Sequence, residues 1–480
     1  MPDSLKQKAT KGVLWSAIER FSVQGVQFFI MIIMARLLTP NDYGVIGMLS
    51  IFLAVAQSLI DSGFSQALIR KQERTEVDNS TVFYFNIITS LIIYIILYIT
   101  APWVAKFYNT PELCSIMRVV CLSIIINSLA VVQRAILTVK VDFKTQAKAS
   151  LIATIISGII GILLAYSGFG VWALVFQQLI NNGLNVLILW ILSKWRPIKA
   201  YSWKSFYELF FFGSKLLASG LIDTIYGNLY LLIIGKIFSA TDLGYYTRAY
   251  QFSSLPSSNI TTILHRVTFP ILCSIQNEDK RLEEIYRRFL KLSAFIIFPL
   301  MTGLAAIAHP LIDLVIGSKW AFCATLLQVI CFGMMWYPIH GINLSLLTVK
   351  GRSDLFLKLE VIKKIIGIIT ICITIPFGII AMCYGGIISS IICLIINTYY
   401  TGKLINVGFI KQMCDLFPTL LLSTFMFMLV LYSINFTSNT FIQLCIGISI
   451  GMISYIGGSY FLRFRELNDI ISILNKKAIK

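Results

Sequence analysis

Ionised side chains inside long apolar stretches are the residues of this sequence whose types could do chemistry. Basic side chains outnumber acidic ones among them, and the set is Glu19, Arg20, Arg118, Arg134, Lys215, Asp223, Arg248, Lys363 and Lys364. Charged residues are costly in a bilayer and commonly line a path for a substrate or an ion. Because guanidinium and ammonium groups form strong hydrogen bonds with phosphate oxygens, the excess of cations favours an anionic, phosphorylated substrate.

Depth along the predicted helices separates the basic candidates. Lys363, Lys364 and Arg134 lie within about two turns of a predicted cytoplasmic end, where long side chains can extend to the interface. Arg20, Lys215 and Arg248 lie deeper. The predicted substrate-binding residues are Arg20, Lys215, Arg248 and Arg134.

The acidic candidates have two interpretations each. Asp223 could bind Na⁺ or a proton and so couple transport to an ion gradient, or it could pair with Lys215 on the same helix. Glu19, beside Arg20, has the same two interpretations. The pairing interpretation is preferred for Asp223. No catalytic residue and no resident cofactor is predicted, and the spacing of Cys and His predicts no metal site.

These residues need membrane-spanning helices to position them. The 480-residue chain is 57% hydrophobic and 13% charged, too apolar for a soluble domain of this size. A helix needs about 20 apolar residues to cross a bilayer. The sequence therefore predicts an all-α integral membrane protein with about fourteen transmembrane helices. They are placed at residues 12–35, 43–63, 81–101, 113–137, 147–167, 171–193, 210–235, 243–263, 290–309, 320–346, 357–376, 381–401, 416–434 and 440–462.

The distribution of Lys and Arg predicts the orientation. With the N-terminus in the cytoplasm, most of the 40 basic residues lie in or beside cytoplasmic connections, whereas the outer connections hold Arg36, Lys106, Lys236 and Lys319. This asymmetry is the positive-inside pattern. It predicts that both termini are cytoplasmic. It also relates the net charge of +18 to anionic lipid headgroups rather than to nucleic acid.

The chain contains an internal repeat. The motif Asp42-Tyr43-Gly44 returns as Asp242-Leu243-Gly244, and the LTVK of residues 137–140 returns at residues 347–350. Each repeat holds six predicted spans, an even number, which predicts a parallel repeat about an axis normal to the membrane. The predicted organisation is an N-terminal lobe at residues 1–200, a C-terminal lobe at 201–410, and an appended pair of spans with a cytoplasmic tail at 411–480. Two lobes around a cleft suit transport by alternating access.

A joint pattern of short motifs identifies a family. The motifs are GVLW at residues 12–15, ARLLTPNDYG at 35–44, DSGFSQALI at 61–69, GFGVWAL at 168–174, IGK at 234–236, LGYY at 243–246 and RVTFP at 266–270. Across about residues 5–400 the chain resembles the Wzx-type polysaccharide and O-antigen flippases of the colanic-acid branch. These belong to the multidrug/oligosaccharidyl-lipid/polysaccharide exporter superfamily.

The resemblance implies a substrate and a location. The substrate would be undecaprenyl pyrophosphate carrying an oligosaccharide, moved from the cytoplasmic to the outer leaflet of the bacterial inner membrane. The product would serve the synthesis of O-antigen and lipopolysaccharide, capsule or exopolysaccharide. Membrane lipids, a polysaccharide polymerase and other assembly proteins are the implied partners.

Other functions remain as alternatives. A multidrug antiporter of the same superfamily would expel small cations and is expected to have a cleft richer in acids. A lipid II flippase would use the same chemistry on a different sugar. A membrane glycosyltransferase or ligase would need a catalytic loop outside the bilayer, and the short outer connections here hold no acid/base cluster. We therefore expect a transporter and not an enzyme.

Overall fold

The computed structural model describes residues 21–61 and 63–469, and every regular element in this part of the chain is a helix. The first compact unit is Met1–Gly244 and the second is Tyr245–Lys480, with the boundary inside helix α12. The helices before and at the boundary are α1 Phe21–Leu37, α2 Pro40–Asp61, α3 Phe64–Arg70, α4 Glu76–Tyr108, α5 Leu113–Val120, α6 Leu122–Ser128, α7 Val131–Val139, α8 Phe143–Tyr166, α9 Val171–Ser193, α10 Trp203–Gly227, α11 Leu229–Ile237 and α12 Ala240–Ser274.

The second unit continues with further helices and two short 3₁₀ turns, at Ser318–Trp320 and Ile375–Phe377. The helices are α13 Asp279–Ala306, α14 Ala308–Ile316, α15 Ala321–Met334, α16 Tyr337–Val349, α17 Ser353–Thr374, α18 Ile379–Ile405, α19 Phe409–Ile434 and α20 Thr440–Phe461.

Eleven helical segments in the described residues are long and apolar enough to cross a membrane, which makes the chain a multi-pass membrane protein. They coincide with predicted spans two to seven, nine, ten and twelve to fourteen. The helices at the other three predicted spans differ: α1 is shorter in the described residues, while α12 and α17 are more polar. The all-helical membrane class is confirmed, and the count of fourteen, the repeat architecture and the lobe boundaries stay predictions.

Helix α4 illustrates how these helices are arranged. Its aliphatic side chains, such as Ile92 and Ile96, are more than half exposed, whereas Ser90 is fully buried. The Ser90 hydroxyl donates to Ser128 Oγ of α6 at 3.0 Å. An apolar exterior and a hydrogen-bonded polar interior are what a helix in lipid requires, because lipid offers no hydrogen-bond partners.

The repeated motif marks a close contact between the first turns of α2 and α12. A Cβ atom on Gly44 would lie 1.6 Å from the Ala240 carbonyl oxygen, and one on Gly244 would lie 1.8 Å from the Pro40 carbonyl oxygen. Both helices begin with the same cap, since Asp42 Oδ2 accepts from the Thr39 hydroxyl at 2.7 Å and Asp242 Oδ2 accepts from the Ser239 hydroxyl at 2.7 Å. The two copies of the motif therefore pack against each other reciprocally.

Within the second unit, an ion-pair cluster joins α13 to α19. Asp415 is 5% exposed and accepts from Arg287 Nε at 2.6 Å and from Lys291 Nζ at 3.0 Å. Further along, the Tyr455 hydroxyl of α20 donates to the Phe295 carbonyl oxygen at 2.8 Å. These contacts hold the last two helices against α13.

The glycine contact gives a stability prediction. Overpacking typically costs about 1–3 kcal/mol, and Gly44→Ala should reach the upper end because the added methyl meets backbone rather than a movable side chain. We expect a lower midpoint of thermal unfolding for purified Gly44→Ala than for the wild-type protein. The matched control is Gly457→Ala in α20, where no atom lies within 4 Å of the added methyl. Equal midpoints for the two variants would show that the α2–α12 contact is not tight.

Candidate substrate-binding site

A cavity of about 580 Å³ lies within the first unit, between α2 with its continuation α3 on one side and α10 on the other. Most of its lining residues are amides, hydroxyls and carboxylates, which is unusual between apolar helices. The polar lining residues are Gln57, Ser58, Asp61, Gln66, Asp223, Thr224 and Asn228. Ligand pockets typically enclose about 300–1,000 Å³, so the cavity has the size and the hydrogen-bonding groups for a polar ligand.

Three contacts fix α10 beside this cavity. Gly63 has a φ of 68° and connects α2 to α3, and a Cβ atom there would lie 2.5 Å from the Gly213 carbonyl oxygen of α10. Only glycine adopts this left-handed conformation without cost and allows so close an approach. Next to it, the Phe64 ring stacks on the Phe206 ring with centroids 5.9 Å apart.

The third contact is electrostatic and lies beyond the end of the span. Lys71 Nζ contacts Glu208 Oε2 of α10 at 3.0 Å and Asp78 Oδ1 of α4 at 3.1 Å. Burial opposes the charged form of Lys71, but the hydrogen bonds to Glu208 and Asp78 outweigh it and raise the pKa of the ammonium group. The lysine is therefore a cation throughout the physiological pH range and joins α10 to α3 and α4.

A chain of polar contacts runs from the cavity into the first unit. Gln57 Nε2 donates to Asp61 Oδ1 at 3.2 Å, and Asn127 Nδ2 donates to Gln57 Oε1 at 3.4 Å. Arg134 interacts electrostatically with Asp61 and donates from Nη2 to Asn185 Oδ1 at 3.0 Å. Asp61 is thus held in place by an amide and partly balanced by a guanidinium group.

The structure places the predicted site residues in different parts of the chain. Asp223 lines the cavity, and Arg134 lies behind Asp61 rather than in the lining. Arg248 lies on α12 in the second unit, where it interacts electrostatically with the Cys323 thiol. Glu19 and Arg20 lie outside the described residues, as does the side chain of Lys215, whose backbone belongs to α10. Among the described lining residues the charged ones are the two acids, Asp61 and Asp223, so a cationic cleft stays a prediction.

Sequence reasoning did not select Asp61 or Gln57, although a signal was present. Gln57 and Ser58 precede Asp61 by four and three residues in an apolar helix, which places all three side chains on one face. A polar stripe in a membrane span indicates a face that avoids lipid. The partners of Arg134 are far away in sequence, and local spacing gives no indication of them.

The second unit contains a separate buried network. His340 contacts Ser390 Oγ through Nε2 at 3.0 Å and Asn397 Nδ2 through Nδ1 at 3.0 Å, so both ring nitrogens have partners. This bonding fits a packing role for His340. Within residues 21–61 and 63–469, no three His, Cys, Asp or Glu side chains are grouped so as to hold a metal ion.

The fold and the cavity define the class: an all-helical, multi-pass membrane protein with a polar cavity between apolar helices, as in transporters. The chain belongs to the polysaccharide biosynthesis protein family, whose sequence pattern matches residues 33–325, and hence to the Wzx-type flippases of the MOP superfamily. It is 26% identical over 357 residues to the teichuronic acid biosynthesis protein TuaB of Bacillus subtilis, covering 74% of each chain. It is 24% identical to the lipopolysaccharide biosynthesis protein WzxC of Escherichia coli, covering 82% of this chain and 80% of that one.

Two solved structures show the same fold. The lipid II flippase MurJ in an inward closed conformation matches with a TM-score of 0.74 and 18% identity, covering 94% of this chain and 99% of that one. An inward-facing multidrug resistance transporter of the MATE family matches with a TM-score of 0.62 and 15% identity, covering 79% and 94%. At these identities the likeness concerns the fold alone.

The Arg134–Asp61 interaction gives a prediction. Arg134→Gln leaves Asp61 without its nearby cation, and because Asp61 is exposed to the cavity, this should cost at most about 1 kcal/mol of stability. Asp61→Asn in the same chain should recover part of that loss, because the two residues act together. Thermal unfolding of the two single variants and the double variant measures the coupling. Lys106→Gln on the exposed end of α4 is the control. Additive effects of the two substitutions would show that the residues do not interact.

Proposed function

We propose that the protein is a flippase that moves undecaprenyl-pyrophosphate-linked oligosaccharide from the cytoplasmic to the outer leaflet of a bacterial inner membrane. The lipid-linked glycan would then enter the synthesis of O-antigen, capsule or exopolysaccharide. The observation that carries this proposal is a hydrogen-bonding cavity between apolar helices, in a member of the polysaccharide flippase family. The protein would make and break no covalent bond and would not be an enzyme.

The physical problem of such transport is the polar headgroup. A pyrophosphate with several sugars cannot enter hydrocarbon, because its polar groups would lose their hydrogen bonds to water. A cavity with amides, hydroxyls and carboxylates replaces part of that hydration while the polyprenyl tail stays in lipid. The predicted basic residues Arg20, Lys215, Arg134 and Arg248 would attract the pyrophosphate.

Alternating access would follow from the two predicted lobes. In the predicted division, α2 belongs to residues 1–200 and α10 to residues 201–410, so that a rocking of one lobe against the other would open and close the cavity. With the N-terminus in the cytoplasm, the Gly44–Gly244 contact lies at the outer ends of α2 and α12. This contact would have to break when the cavity opens outwards. A Na⁺ ion or a proton bound at Asp223 or Glu19 would couple the cycle to a gradient.

One observation favours a second candidate. The described charged residues of the cavity are Asp61 and Asp223, and carboxylates are what a site for small organic cations needs. A multidrug antiporter is therefore the alternative to test. A lipid II flippase is the other, since it shares the fold and the lipid carrier chemistry.

Reconstitution distinguishes these functions. The full-length protein in proteoliposomes should move fluorescently labelled undecaprenyl-pyrophosphate oligosaccharide, extracted from its own host, at least about tenfold faster than protein-free vesicles. Lipid II and a fluorescent organic cation should move no faster than in protein-free vesicles. Transport of the cation without transport of the glycolipid would overturn the proposal in favour of the antiporter. Transport of lipid II alone would assign the protein to cell-wall synthesis.

A further inference from the structure

We propose that the cavity between α2 and α10 is a subsite for uncharged sugar residues of the oligosaccharide, and that the pyrophosphate binds outside it. This inference rests on the proposed function and assigns one part of the substrate to one part of the protein. It concerns the described lining of the cavity, which is formed by Gln57, Ser58, Asp61, Asp223, Thr224 and Asn228 among others.

Charge disfavours binding of the pyrophosphate at the described part of this lining. Asp61 and Asp223 are exposed to the cavity on opposing elements, and no Lys or Arg is among the described lining residues. Like charges in contact repel each other, so a pyrophosphate against either carboxylate would be disfavoured. The proposal places the cations that bind it outside the described lining.

The same groups match the hydroxyls of a sugar. A carboxylate accepts hydrogen bonds at both oxygens, the amides of Gln57 and Asn228 donate and accept, and the hydroxyls of Ser58 and Thr224 do both. Sugar hydroxyls likewise donate and accept at one atom. The volume of about 580 Å³ lies within the range of small-ligand pockets and suits a short stretch of oligosaccharide rather than a whole glycolipid.

The Asp61 carboxylate is already oriented to accept hydrogen bonds before a sugar binds. Gln57 Nε2 donates to Oδ1 of Asp61, and Gln57 is itself held by Asn127. Arg134 balances the carboxylate electrostatically without lining the cavity, since Asn185 accepts from its guanidinium group. An acceptor that is already oriented loses less entropy when it binds a ligand.

Binding to two probes tests the subsite. The full-length protein in nanodiscs is titrated with the host's undecaprenyl-pyrophosphate oligosaccharide and with undecaprenyl pyrophosphate that carries no sugar. Hydrogen bonds to charged groups contribute about 1.5–3 kcal/mol, so Asp61→Asn and Asp223→Asn should each weaken binding of the first probe by about tenfold or more. Binding of the sugar-free probe should stay the same or become tighter. Thr224→Val, which keeps the charge and the shape of the side chain, should also weaken binding of the first probe only.

The control is Asp354→Asn, an exposed acid paired with Arg352 on the second unit, which should change neither titration. Unfolding midpoints confirm that each variant is folded. Two results would overturn the subsite and leave the flippase function intact. In one, the wild-type protein prefers the sugar-bearing probe and the cavity variants keep that preference. In the other, the substitutions weaken binding of both probes equally. If the wild-type protein binds neither probe but binds tetraphenylphosphonium, the proposed function fails and the subsite with it.

Discussion

The close approach of α2 to the segment from α10 to α12 is the interaction on which the rest of the structure depends. At one end of α2 the contact is between Gly44 and Gly244, and near the other end it is between Gly63 and Gly213. At these points backbone meets backbone, with no room for a side chain. Between them the helices separate enough to leave the polar cavity. The two glycine contacts therefore set the spacing of the helices at either end of the cavity.

Polar contacts within the first unit support the cavity lining from behind. Asp61 is supported by Gln57, and Arg134 behind it is anchored by Asn185. A charge in hydrocarbon persists when a partner of opposite charge and several hydrogen bonds compensate for the lost hydration. The network therefore keeps a carboxylate available at the cavity, where it can accept hydrogen bonds from a hydroxyl-rich ligand.

Much of the fold could be predicted from the sequence, because span length and hydropathy are local properties. In the described residues a helix lies at each predicted span, and the family resemblance is confirmed by the match over residues 33–325. The repeat was detectable at Asp42 and Asp242, yet its role as a contact was not, because reciprocal packing depends on residues 200 positions apart. Of the cavity lining, the sequence singled out Asp223 as an ion-coupling candidate, whereas Asp61 becomes a candidate only from the packing of α2 beside α10. The division of the fourth span into α5, α6 and α7 likewise has no Pro or Gly signal in residues 113–139.

Thiol accessibility shows whether the cavity between α2 and α10 is open to water. In a full-length variant whose ten native cysteines are replaced, Ser58→Cys and Thr224→Cys are treated in inside-out vesicles with a membrane-impermeant maleimide. Ile92→Cys, on the exposed apolar face of α4, is the comparison. We expect rapid labelling of the two cavity positions and none at position 92. Cavity cysteines that stay as unreactive as the one at position 92 would contradict this expectation.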